Sequence, residues 1–132
     1  MNALYPGLAK ADVLILGTPA YWYAPTALMK AFVDRLVCFN CAENKPGIRG
    51  KSALVAIPFE EQGLKAASLV LQFFQRSLPY LGINLGGKLV VPGVSRKGEI
   101  LERPYRLQQA YELSKKILTE DPAAVAVSEA SA

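Results

Sequence analysis

The sequence predicts an α/β layer sandwich built on a parallel sheet, with three strands visible, and two observations carry that reading. Residues 12–17, 52–57 and 88–92 are short apolar runs without polar alternation, as expected of strands covered on both faces. Each is followed by an amphipathic helical stretch. Strand and helix repeated three times argue for parallel strands joined by right-handed crossovers. Prolines stand at all three strand exits (Pro19, Pro58 and Pro92), where the missing N–H ends a ladder.

The helical stretches are read from their apolar spacing. Over 26–37, Leu28, Met29, Phe32, Val33, Leu36 and Val37 form one stripe, with Lys30 and Asp34 opposite at i, i+4 spacing. Over 64–81, Ala67, Val70, Leu71, Phe74, Leu78 and Leu81 line one face; Pro79 falls in the last turn and Gly82 suits the C-terminal cap. Over 104–118, Leu107, Ala110, Tyr111, Ser114, Ile117 and Leu118 point inward, and Pro104 suits a first turn. Residues 1–11 are too short for a further strand–helix unit. One domain over 1–120 is expected, with 121–132 a frayed tail lacking periodicity.

Composition bounds the chemistry. The 132 residues are 52% hydrophobic and 20% charged, which fits a single soluble core. No apolar run reaches the roughly 20 residues a bilayer span needs, and no secretory signal is visible, so a cytoplasmic protein is expected. There is no histidine, which excludes a Ser-His-Asp triad and any histidine-ligated metal from this chain. The net charge of +4 comes from scattered Lys and Arg, so nucleic acid is not expected as a partner.

The most informative stretch runs from the first strand into Thr18, Pro19, Ala20, Tyr21, Trp22 and Tyr23. Ligands of open α/β sheets bind beyond the carboxyl ends of the strands. Aromatic side chains at such an exit suit the faces of a flat conjugated ligand; the alternative is that they only cap the core.

ADVLILGTPAYWYAPTALMKAFVDRL resembles the third strand, flavin loop and following helix of the flavodoxin-like NAD(P)H-dependent FMN reductases, a group that includes the iron–sulfur flavoproteins. KSALVAIPF and GGKLVVPGV are similar, more loosely, to the next strand and the last. The resemblance implies a flavodoxin-like sandwich truncated at the N-terminus, beginning near the end of the second helix and lacking the first strand and its phosphate-wrapping loop. It implies FMN as cofactor and NAD(P)H as co-substrate. Its cofactor-binding positions fall on Thr18, Pro19, Ala20, Tyr21 and Trp22, with Phe59, Glu60 and Glu61 at the flavin edge, and it requires no acid–base residue. Asp34 and Arg35 are structural on this reading. Family members often carry glycines where Glu60 and Glu61 stand, and a solvated role suits these two.

Cys38 and Cys41 form a CxxC spacing, but Cys38 follows a helix, near its negative end, where a thiolate is disfavoured. The compact four-cysteine motif of the iron–sulfur flavoproteins is absent, so no metal is expected. Arg96 and Lys97 after the last strand are ordinary surface charges or a lure for an anionic nicotinamide phosphate. The functional expectation is an FMN-dependent NAD(P)H oxidoreductase passing electrons to a small-molecule acceptor. Its competitor is a truncated flavodoxin-like domain that binds no flavin and acts through self-association or a partner. A homodimer or higher homo-oligomer is expected, because the strand at 12–17 would otherwise present an open apolar edge.

Overall fold

The computed structural model describes residues 3–119; the tail expected at 121–132 lies outside the described residues. Three parallel strands, β1 (Val13–Gly17), β4 (Ser52–Pro58) and β5 (Asn84–Val91), form a sheet in the order β1-β4-β5. Val13 pairs with Ser52, and Ser52 with Asn84, so each strand begins level with its neighbour. Helices α2 (Ala27–Arg35) and α3 (Lys65–Tyr80) make the two crossovers. Their buried side chains meet Leu14, Leu16, Ala53, Val55 and Ile57 in one core. A short helix, α1 (Tyr5–Lys10), adds Leu8 to that core, in the segment read as too short for a strand–helix unit.

Helix α4 (Pro104–Thr119) lies against β5 and β4, with Ile117 close over Gly86 and Gly87 and beside Leu54. A Cβ on either glycine would sit 3.2 Å from Ile117, so these glycines admit the helix. They are therefore part of the strand. The strand expected over 88–92 thus begins earlier, at Asn84, because glycines weaken the apolar signal without ending the ladder.

Several expected core positions are exposed. Leu28 and Val37 are 85% and 68% exposed, because the helical stripe is wider than the contact and the chain tightens into a 3-10 turn at Leu36–Asn40. On α4, Ala110, Ser114 and Ile117 are half-buried, while Leu107, Tyr111 and Leu118 stay exposed. The helix covers β4 and β5 rather than β1, so that lateral row meets no neighbour. Ile15, on the same open region of β1, is 72% exposed.

Gly82 caps α3 as expected. Its φ is +77°, its N–H donates to Pro79 O at 2.8 Å, and Ile83 N–H donates to Leu78 O at 3.0 Å, the two bonds of a Schellman motif. Lys30 and Asp34 pair across one turn at 2.6 Å.

Candidate functional site

The chain leaves β1 through Thr18 and Pro19 and makes a hairpin absent from the sequence reading. Strand β2 (Ala20–Tyr21) pairs antiparallel with β3 (Ala24–Pro25), and Trp22 and Tyr23 form the two-residue turn. Both turn residues have positive φ, 50° and 62°. That is the sign pattern of a type I′ turn, which favours Asn-Gly and disfavours bulky side chains. Trp22 is 94% exposed, so packing does not hold its side chain in place. The hairpin is held at its base instead. Thr18, 1% exposed, accepts the Thr26 N–H at 3.1 Å, and Thr26 Oγ1 accepts the Met29 N–H at 3.3 Å as the N-cap of α2.

The exits of β4 and β5 are joined beside it. Phe59 N–H donates to Val91 O at 3.0 Å, and Val94 N–H to Phe59 O at 2.8 Å. Gly93 (φ +71°) is pressed against Gln62; a Cβ there would meet its amide at 2.7 Å. Two clefts result. The first, about 360 Å³, lies between the turn (Trp22, Tyr23) and Phe59, Glu60, Glu61 and Ala66 of α3. The second, about 440 Å³, is walled by Pro19, Ala20 and Tyr21 on one side and Val94, Ser95 and Arg96 on the other. Ala20, Phe59 and Glu60 are shared by both.

The wall formed by residues 92–103 is braced from behind. Glu99 Oε2 accepts the N–H groups of Ser95 at 2.9 Å and Arg96 at 3.1 Å, with Ser95 Oγ at 3.5 Å. Its other oxygen receives Arg103 at 2.6 Å. The Arg103 guanidinium also donates to Pro92 O at 2.8 Å and to Gly93 O. The backbone N–H groups of Ser95 and Arg96, with help from Arg103, hold the Glu99 carboxyl down to about 2. Arg96 reaches Glu102 at 3.5 Å, and both side chains remain largely in solvent.

Of the residues singled out from sequence, Pro19, Ala20, Tyr21, Trp22, Phe59, Glu60 and Glu61 border the two clefts. Thr18 does not: its hydroxyl is turned inward to Thr26. Tyr23, the third aromatic of the run, lines the smaller cleft; Ala66, Val94 and Ser95 carry no signal in the sequence, while Arg96 lines the larger cleft and Lys97 does not. Cys38 and Cys41 are free thiols, and among the described residues no group of three or more Cys, Asp or Glu is placed to hold a metal.

The model of the NADPH-dependent FMN reductase family matches residues 1–84. The chain belongs to that family. FMN and NAD(P)H are the cofactor and co-substrate that membership brings, and a reductase-type function comes with it. Solved structures agree on a flavodoxin-like fold for this FMN reductase relative. The Trp repressor binding protein from Bacillus subtilis is 23% identical with a TM-score of 0.74, covering 85% of this chain and 68% of that one. An NADPH-quinone reductase from P. pentosaceus is 19% identical (TM-score 0.63; 83% and 72% covered). General stress protein 14 from Treponema denticola, solved in complex with FMN, is 14% identical (TM-score 0.60; 88% and 70% covered). No curated protein matches the sequence. Among the described residues no helix is long and apolar enough to cross a membrane.

The residues present suit a flavin ring better than its phosphate. Tyr21, Trp22 and Phe59 flank cavities of the size that takes a planar ligand. The polar groups at the strand exits are already engaged, Thr18 by Thr26 and the Ser95 and Arg96 amides by Glu99, and Glu60 and Glu61 repel an anion.

Proposed function

We propose that the chain is an FMN-dependent NAD(P)H oxidoreductase of the flavin or quinone reductase kind, with Pro19, Ala20, Tyr21 and Trp22 bordering the ring and Phe59, Glu60 and Glu61 at its edge. The observation that carries this reading is the Trp22–Tyr23 turn. Two bulky residues held at positive φ, at the mouth of a cleft, are strain retained for a ligand rather than for the fold. When bound, FMN supplies hydride acceptance at N5 from NAD(P)H and delivery of the electrons to a small-molecule acceptor. The chain's own part is positional. Tyr21 and Trp22 offer faces, the Thr18–Thr26 contact fixes the hairpin that carries them, and the exposed Arg96 guanidinium attracts a nicotinamide phosphate towards the larger cleft. No side chain is assigned proton transfer. Titration with FMN up to high micromolar concentration is expected to give saturable fluorescence quenching, and NADPH to be oxidised when a quinone is added. Colourless protein with no quenching would sink the enzyme reading.

A second reading, a flavin-free domain acting through self-association, is favoured by the internal use of the polar groups at the strand exits. Either reading needs β1 covered. Thr18 N–H donates to Ala56 O, and Asp12 O accepts the Ser52 N–H, so even-numbered residues of this strand face β4. Val13, Ile15 and Gly17 therefore turn their N–H and C=O groups to the open edge. A two-fold axis through Ile15 pairs Val13 with Gly17 of a second copy and Ile15 with itself, which satisfies every outward group. The β5 edge carries exposed Lys88, a residue type that blunts such pairing, whereas β1 from Val13 to Gly17 carries no charge. Light scattering at low micromolar concentration is expected to give a dimer, and Ile15→Lys a monomer. A wild-type monomer would refute this pairing.

A further inference from the structure

The wall of the larger cleft at Val94, Ser95 and Arg96 belongs to no strand or helix; it lies between the end of β5 and the 3-10 turn Glu99–Glu102. Glycines of positive φ stand on both sides of it, Gly93 at +71° and Gly98 at +83°, where the chain turns without steric cost. Its near end is tied to the neighbouring loop, where Val94 N–H donates to Phe59 O at 2.8 Å. Beyond that point the Ser95 and Arg96 N–H groups both donate to one acceptor, Glu99 Oε2. Arg103, which donates to Glu99, Pro92 O and Gly93 O, ties that carboxylate to the root of the same segment. Both side chains are largely covered, Glu99 at 13% and Arg103 at 24% exposure, and neither lines a cleft. Resting on the reductase reading above, we propose that Glu99 is a positioning residue for the nicotinamide co-substrate: from behind the wall it fixes the Ser95–Arg96 backbone, and with it the place from which the Arg96 guanidinium meets a ligand phosphate.

The place of Arg96 matters because no other cation shares its task. Among the described residues it is the only one lining either cleft, and Glu60 and Glu61 oppose an anion there. Its side chain reaches Glu102 at 3.5 Å, an ion pair largely in solvent, which holds a long side chain weakly and yields to a phosphate. Position therefore comes from the backbone, and the backbone is held by Glu99. That acceptor stays charged at neutral pH, because the Ser95 and Arg96 N–H groups, with help from Arg103, hold its carboxyl down to about 2. The stabilisation that ionised Glu99 gives the wall is complete above the ordinary carboxylate value and is lost as pH falls through about 2.

The test follows NADPH in two ways, by steady-state oxidation with FMN and a quinone acceptor and by direct binding read from NADPH fluorescence. Glu99→Ala is expected to raise the KM and Kd for NADPH roughly tenfold, the scale of a hydrogen bond to a charged group, with kcat within about threefold of wild type. Glu99→Gln keeps an acceptor for the two N–H groups and recovers part of the loss. Arg96→Ala raises KM to a similar extent, and the double variant is no worse than Arg96→Ala, because both act through one guanidinium. A reduced nicotinamide without phosphates, N-benzyl-1,4-dihydronicotinamide, is used by wild type and Glu99→Ala with the same KM. A brace that only stabilises the loop would lower Tm in Glu99→Ala and leave every KM unchanged, or would change both nicotinamides alike; either result overturns the proposal. If wild type binds NADPH but does not oxidise it, the reductase reading falls while the fluorescence titrations still decide the role of Glu99. If wild type neither binds nor oxidises NADPH, both fall.

Discussion

Replacing Trp22-Tyr23 by Asn-Gly is expected to make the protein more stable and a poorer flavin binder. Each L-residue in the left-handed region costs about 1–2 kcal/mol, and the bulky pair carries this twice. Asn and Gly adopt those angles readily, while the added glycine restores about 0.4–1 kcal/mol of unfolded-chain entropy against the gain. Trp22 is 94% exposed, so its removal sacrifices little packing. The net is a stabilisation of about 1–3 kcal/mol, visible as a rise in Tm of several degrees. Loss of the indole and phenol faces removes stacking beyond area burial, and FMN affinity falls roughly tenfold. Thermal unfolding and fluorescence titration on the same samples decide it. A variant that melts lower than wild type would show that the turn is not strained, and one that binds FMN unchanged would show that the aromatics are not ring walls.

Phe74→Ala is expected to have the largest effect on stability of any substitution considered. Phe74 is fully buried at the middle of α3, packed among the side chains that join the helix to β4, with the Phe73 ring edge-on at 5.0 Å. Truncating such a side chain costs about 3–5 kcal/mol, transfer and cavity together. Domains of this size have only about 5–15 kcal/mol in hand. Urea unfolding should show the midpoint collapse with the slope unchanged. Leu28→Ala, at 85% exposure, serves as the control and should stay within about 0.5 kcal/mol of wild type. A loss below about 1 kcal/mol for Phe74→Ala would mean that the core assigned to α3 is wrong.

The parallel sheet was legible because its signal is one-dimensional: Val13 to Leu16 and Ala53 to Ile57 are unalternated apolar runs, although only β4 is covered on both faces and β1 leaves Ile15 exposed. The place of the two clefts was legible for the same reason, since strand exits follow once the strands are known. What the sequence hid depends on conformation or on distant partners. Trp22 and Tyr23 give no turn signal, because turn propensity points to Asn and Gly, so the β2–β3 hairpin looked like an aromatic cluster. Glu99 and Arg103 are four residues apart and look like an ordinary surface pair. Only the return of the loop past Ser95 makes one of them the acceptor for backbone N–H groups. Leu107, Tyr111 and Leu118 have helical core spacing, and nothing local reveals that α4 sits over β4 and β5 and leaves β1 bare.

The strand order also governs how the chain reaches this structure. Val13 cannot meet Ser52, nor Ser52 meet Asn84, until each intervening loop and helix has closed. Such non-local pairing makes folding slow compared with helical proteins of similar length, because loop-closure entropy must be overcome before the contacts that compensate for it exist. Throughout that interval the uncharged run of β1 is exposed on both sides. Pairing with β4 of its own chain competes with pairing to another molecule, and the second route is bimolecular. The yield of native protein is therefore set by concentration during synthesis and refolding, and dilute conditions favour the native sheet over aggregates.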